Sequence, residues 1–264
     1  MPARSRRKTN PEGKMSLGQH LVELRKRLVI AGVGVLVGSV GGWFLAQLAL
    51  DRLRAPILVL ASAHHQASIN YPSVTSAWDV RIQVTLLIGI VISSPIWLYQ
   101  IFAFLVPGLN GRERRYIFGF FFTAVPLFLA GCTVGWFVLP RVITILVGFV
   151  PGQDTSIIDA NYYLDFVIKL ILASGIAFVL PVFLVLLNFI GILSAKTILK
   201  GWRWAVLAIT VFTAIATPAA DPFTMLLLAA PMVVLYFAAW GVSALHDRAA
   251  ARRSDAVSAG LASA

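Results

Sequence analysis

Residues 28–50 read LVIAGVGVLVGSVGGWFLAQLAL, 23 consecutive positions without a charged side chain. At ~1.5 Å per residue a helix of that length covers ~34 Å, a little more than the ~30 Å hydrocarbon core of a bilayer. The run is continuous where a strand of a membrane barrel would alternate, and lipid admits only helices or closed barrels. Similar runs fall near 82–106, 116–139, 162–190, 204–217 and 223–245, each bounded by charges or by Pro and Gly clusters. The chain of 264 residues is 59% hydrophobic and only 12% charged, which excludes an ordinary soluble domain. The sequence therefore predicts an all-α polytopic membrane protein, a bent bundle of six transmembrane helices with short fifth and sixth spans. One membrane domain covers 16–245. Residues 1–15 and 246–264, rich in charge, Ala, Ser and Gly, read as unordered tails.

The net charge is +11, but the basic residues crowd the ends and short links instead of covering a face that could follow a phosphate backbone, so nucleic acid is not an expected partner. Of 22 Lys and Arg, 17 fall in 1–27, 106–116, 191–203 and 246–264, all on one side of the membrane in a six-span topology. By the positive-inside rule this predicts cytoplasmic termini and two long exported loops. The cytoplasmic links are too short for a nucleotide-binding domain, and no G-x-x-x-x-G-K loop occurs. Trp204 to Thr217 is short for a span, which implies an earlier start or a thinned bilayer. Pro95, Pro126, Pro181 and Pro231 each remove an amide donor within or beside a span and favour kinks.

Ahead of the first span, Ser16 and Gln19 are spaced as a capping box, and Leu17, Leu21, Leu24 and Leu28 form one helical stripe. This predicts an amphipathic helix at the membrane interface, in which Glu23 either pairs with Arg27 at i,i+4 or is offered to a cationic ligand. The second run ends in SPIWLYQIFAFLVPGL (94–109), followed by Glu113 among Arg112, Arg114 and Arg115. There too the acid is either neutralised locally or a binding group. Asp165 and Lys169, one turn apart inside a span, read as a self-satisfying pair or as cavity lining, and Asn188 as helix glue or cavity lining. Gly34, Gly38 and Gly42 permit close approach of another helix, from this subunit or a partner. Cys132 is the sole cysteine, and His64 and His65 lack acidic neighbours at ligand spacing, so neither a disulfide nor a metal site is expected. No cofactor is implied.

The motif H-L-x-E-L-R-x-R-L at 20–28, S-P-x-x-x-Y-Q-x-x-A-F-x-x-P-x-L at 94–109, E-R-R at 113–115 and T-P-x-x-D at 217–221 together resemble the TatC family, the multispanning core of the twin-arginine protein translocase. The resemblance covers roughly 16–245. It implies a receptor for signal peptides carrying paired arginines, driven by proton-motive force, working with TatA- and TatB-type single-span proteins and further copies of itself in a bacterial or archaeal plasma membrane. It carries signal-peptide binding onto Glu23, Arg25, Glu113, Arg114 and Arg115. Pro95, Tyr99, Gln100, Phe104 and Pro107 would shape the site, Pro56 would stiffen an exported cap, and Asp221 would sit on the exported edge. The chemistry is coherent: a guanidinium pair is best held by fixed carboxylates in bidentate geometry, which Lys cannot reproduce.

Two positions depart from the family pattern. Val179 stands where many members have Glu two residues before the proline of the fourth span, and Met225 where relatives often show Gln. Ser5-Arg6-Arg7-Lys8 mimics a twin-arginine signal but lacks the following apolar residues and a cleavage site, and reads as a basic tail. A solute transporter is the competing function; against it stand the absence of a clear internal repeat and the placing of the useful acids at the rim. An intramembrane enzyme is not expected, since neither H-E-x-x-H nor G-x-S-x-G occurs.

Overall fold

The computed structural model describes residues 17–62, 67–105, 114–148, 156–216 and 222–262. Helix α1 (Leu17–Ser62) runs from what we term the near end of the bundle to the far end, where strand β1 (Ala67–Asn70) follows. Helices α2 (Ser76–Ile92) and α3 (Ser94–Leu105) return to the near end, and α4 (Arg114–Val147) crosses outward again. Strand β2 (Ser156–Asp159) pairs in parallel with β1, Ala67 opposite Ser156 and Asn70 opposite Asp159, and this pairing brings the two far-end links together. Helix α5 (Ala160–Phe189) returns, the short α6 (Ala195–Lys200) lies at the near end, α7 (Trp202–Ala216) crosses outward, and α8 (Pro222–Ala262) comes back.

Four helices, α1, α4, α5 and α8, are long and apolar enough to span a bilayer alone. Helices α2 and α3 form a fifth crossing, bent by 59° at Ser93. The sixth passage is α7, at 15 residues the short one the sequence predicts. Large apolar side chains are exposed along the outside, Leu36, Val40 and Phe44 on α1, Phe122 and Phe137 on α4, Leu226 and Val234 on α8. Such an exterior suits lipid and not water.

Glycines set the helix spacing. A Cβ on Gly38 would stand 2.6 Å from the Gly89 carbonyl oxygen, and one on Gly42 would stand 2.6 Å from that of Thr85. The glycine seam of α1 is thus used within the subunit, against α2. A second seam joins α4 to α5, where a Cβ on Gly131 would meet the Ser174 carbonyl oxygen at 2.4 Å and one on Gly175 the Cys132 sulfur at 2.7 Å. Close backbone approach replaces the hydrophobic driving force that lipid removes. Between the seams sit Leu53, Val84, Phe102, Phe128, Leu164 and Leu170, all buried.

The bend between α2 and α3 follows from Pro95. Its ring removes the amide that would pair with the Val91 carbonyl, and one residue earlier the Ile90 carbonyl accepts from the Trp97 indole at 2.9 Å and the Ser93 hydroxyl at 3.4 Å. Trp97 meets Phe128 of α4 edge to face, and Phe102 stacks on Phe183 of α5 at 4.5 Å, which fixes the direction α3 takes.

Several sequence-based expectations need correction. The interfacial helix is not separate, because α1 continues without a break from Leu17 to Ser62. Pro56 lies inside α1 and not in a loop; Leu53 and Ile57, both buried, hold the helix in line across the missing hydrogen bond. The second crossing begins at Ser76, and the far-end links contribute a two-stranded ribbon to an otherwise helical chain. The ribbon is anchored where Tyr163 donates to the Leu53 carbonyl at 2.7 Å and Arg54 donates to the Tyr71 hydroxyl at 2.5 Å.

The last helix continues beyond the span read at 223–245: α8 runs 41 residues. Its alanines favour helix, and a polar clamp holds it at the near end. Asp247 accepts from the Ala195 amide at 2.8 Å and from Asn188 Nδ2 at 2.9 Å, while His246 stacks on Phe189 at 3.9 Å. Asn188 is therefore helix glue. The basic stretch 1–15, with its Arg6-Arg7 pair, and His64 and His65 lie outside the described residues.

The α1–α2 seam predicts that Gly38→Leu lowers the thermal stability of the detergent-purified protein by ~2 kcal/mol or more, whereas Gly41→Leu, with nothing within 4 Å of its Cβ position, leaves it unchanged. The clamp predicts a pH signature. Burial opposes the Asp247 charge, but the Ala195 amide, Asn188 and His246 outweigh it and hold the carboxyl below the usual carboxylate range. A depressed folded-state pKa contributes stability that is present above the ordinary value and lost as pH falls through the lowered one. Asp247→Asn should therefore lower Tm at pH 7, and its gap from the parent should narrow below about pH 4.

Candidate functional site

At the near end, the first turns of α1 face the last turns of α3. Glu23 accepts through Oε1 from Arg27 Nε at 3.0 Å and from Nη2 at 2.5 Å, a fork that the i,i+4 spacing allows. Arg27 Nη1 reaches across to Gln100 Oε1 at 3.5 Å, a long contact that links α1 to α3. One turn earlier, His20 stacks on Phe104 with ring centroids 4.5 Å apart. These contacts depend on the bend at Ser93, which turns α3 toward α1.

The pair is half-buried, with side-chain exposures of 21% for Glu23 and 23% for Arg27. The second carboxylate oxygen of Glu23, Oε2, is out of contact with solvent and has no hydrogen-bond partner among the described residues. An unpaired carboxylate oxygen is costly where it lies, so a cationic donor is the natural complement. A shallow groove beside it is lined by Gln19, Val22, Glu23, Lys26, Arg27, Ile30 and Gln100. The structure shows the first reading of Glu23, the i,i+4 pair with Arg27, which occupies one oxygen and leaves the other beside the groove.

The structure places the remaining candidates unevenly. Arg25, two residues from Glu23 and so not on the same helix face, is exposed. Tyr99 lies partly exposed on α3, edge to face with Phe121 at 5.8 Å, and Pro95 sits at the start of that helix, where it makes the bend. Arg114 and Arg115 open α4, but their side chains, together with Pro107, Glu113 and Asp221, lie outside the described residues. Asp165 and Lys169 form an exposed ion pair at 2.5 Å on α5. Val179 is buried in α5, and Met225 lies in the first turn of α8. Among the described residues no group of His, Cys, Asp and Glu is arranged to hold a metal ion.

Sequence reasoning named Arg27 as a pairing partner of Glu23 but not as a link from α1 to α3. Its i,i+4 spacing from Glu23 was the available signal; its reach to Gln100 was not, because that depends on the angle of α3.

A bent helical bundle with an apolar exterior and a half-buried carboxylate on its rim belongs among the polytopic integral-membrane proteins. Comparison with known proteins narrows the class. Residues 19–231 match the family TatC, Sec-independent protein translocase protein. The chain is 46% identical over 254 residues to the Sec-independent protein translocase protein TatC of Xylanimonas cellulosilytica, covering 96% of this chain and 90% of that one. It is 38% identical to the TatC protein of Rothia mucilaginosa, covering 92% and 83%. A crystal structure of the twin-arginine translocase receptor TatC superposes with a TM-score of 0.72 at 30% identity, covering 86% of this chain and 98% of the other. The chain belongs to the TatC family and is a multispanning protein-translocase component.

The geometry predicts energetic coupling between Glu23 and Arg27 of about 1 kcal/mol in a double-mutant cycle with Glu23→Gln and Arg27→Gln, read as thermal stability. The same cycle with Arg25→Gln should give none, since among the described residues no hydrogen bond or ion pair joins Arg25 to the pair.

Proposed function

We propose that this chain is the receptor and core subunit of a twin-arginine translocase, and that Glu23 accepts one guanidinium of a signal peptide's arginine pair. The observation that carries this reading is the buried Oε2 of Glu23, without a partner among the described residues, beside a groove open at the rim. Arg27 holds Oε1 and so aims the carboxylate; Gln100 and the His20–Phe104 stack hold α1 against α3. Glu113 would supply the second carboxylate, with Arg114 and Arg115 beside it, and Arg25 would stay at the headgroup level. A planar, permanently charged guanidinium suits two such acceptors; a lysine ammonium forms no fork and carries a larger hydration penalty.

The near end is then cytoplasmic, in keeping with 17 of 22 basic residues on that side, and the β1–β2 ribbon forms the exported cap. The membrane is the bacterial or archaeal plasma membrane. After the arginine pair docks, the apolar part of the signal inserts along the bundle, and TatA- and TatB-type single-span proteins and further copies of this chain complete a translocase driven by proton-motive force. No catalytic residue is assigned, and the role is receptor and conduit instead of enzyme.

The test is photo-crosslinking in membrane vesicles from a probe at position 26, on the groove wall, and from one at position 113. Both should label a precursor carrying Arg-Arg and fail to label its Lys-Lys counterpart. Glu23→Gln should reduce labelling at least about tenfold, the scale of one charge-assisted hydrogen bond. Equal labelling of both precursors contradicts the proposal.

A further inference from the structure

Across the near end from the Glu23 groove, α6 and the start of α7 present a different surface. Lys196, Lys200 and Trp204 recur at four-residue spacing through the Gly201 turn and, with Thr197, line one open groove. Lys196, Lys200 and Trp204 are all exposed, and among the described residues neither lysine pairs with a carboxylate. The platform beneath them is rigid. Tyr236 donates to the Ile198 carbonyl at 2.5 Å, Asp247 accepts from the Ala195 amide, and Ser194 caps the helix by accepting from the Thr197 amide at 3.2 Å. Ala195 and Ile198 are buried, which turns the lysines outward.

Helix α7 adds an independent constraint. Its 15 residues span only ~22 Å against a hydrocarbon core of ~30 Å. The adjoining lipid must bring its headgroups inward, and cations with an interfacial tryptophan at the helix start favour that displacement. Leading away from the groove, Trp204, Leu207, Val211 and Ile215 make an exposed apolar stripe along α7. A phosphate bound between the lysines would thus have an acyl track continuous with it. A free anion would use only the first half of that surface.

We propose that this groove is a binding site for an anionic phospholipid, its phosphate held by Lys196 and Lys200 and its acyl chain lying on the α7 stripe. The site is separate from the signal-peptide groove and depends on the orientation given above only for the choice of leaflet. Basic pockets between transmembrane helices take lipid headgroups by this chemistry. The site serves the short span by holding the thinned bilayer in place around it.

The test is lipid retention by the full-length purified chain in native mass spectrometry, with phosphatidylglycerol and phosphatidylcholine as probes. Phosphatidylglycerol should be retained preferentially. The double substitution Lys196→Gln with Lys200→Gln should weaken retention about 30-fold, each cation near an anionic headgroup contributing roughly fivefold. Arg252→Gln with Arg253→Gln, which removes the same charge from exposed positions on α8, should leave it unchanged. Trp204→Leu, which keeps both lysines, should weaken it several-fold and carries the test if the double variant fails to fold. Equal losses in the lysine and arginine variants would show diffuse surface attraction and overturn the site. Undiminished retention in the lysine variant, or no preference for phosphatidylglycerol as for a stripe that serves only a partner helix, would overturn it too. Displacement by millimolar glycerol phosphate would assign the groove to a free anion instead.

Discussion

The close approach of α1 and α2 at Gly38 and Gly42 supports everything built at the near end. In lipid there is little hydrophobic gain in pressing two apolar helices together, so association relies on packing, and only residues without a Cβ let the backbones come this close. With α1 and α2 locked, the direction of α3 is left to the break at Ser93 and Pro95. The indole of Trp97 and hydroxyl of Ser93 donate to the Ile90 carbonyl beside the break, which helps a 59° bend to be tolerated inside a membrane. That bend delivers Gln100 and Phe104 to Arg27 and His20.

The site is therefore a product of two helices that meet far from each other in sequence. Glu23 and Arg27 are an ordinary helical pair by spacing, and surface pairs of that kind contribute little. What distinguishes this pair is half-burial against α3 and the oxygen left over once Arg27 has been served. On the proposed reading, a carboxylate aimed by one internal guanidinium would meet another with less reorganisation than a mobile side chain would need. The far end is built on different terms. There a parallel ribbon and the Tyr163 and Arg54 contacts tie the two longer links into one unit, satisfying backbone groups that irregular loops would leave to solvent.

The helical membrane architecture was legible because it follows from charge-free runs and the crowding of arginine and lysine on one side. The kink at Pro95 was legible for the same local reason. Where the reading failed, tertiary contacts had the deciding role. The extension of α8 depends on Asp247 meeting Asn188 and Ala195, more than fifty residues away. The continuity of α1 through Pro56 depends on burial of Leu53 and Ile57, and the ribbon on two short segments with no strand pattern of note. At the candidate site, Glu23 was singled out from its motif, while Arg27 could be weighed only as a neutralising partner until the position of Gln100 was known. The glycines of α1 were equally compatible with a partner subunit until α2 was seen against them.

The central claim is that Glu23 offers a carboxylate oxygen to an arginine of the signal peptide. Solid-state NMR tests it most directly, with the Glu23 side chain labelled at its carboxyl carbon and the peptide's paired arginines labelled at their guanidinium nitrogens, both in lipid. The account predicts a dipolar contact between that carbon and a guanidinium nitrogen within about 4 Å, the reach of a charge-assisted hydrogen bond. Peptide bound in the same sample with no such contact would contradict it.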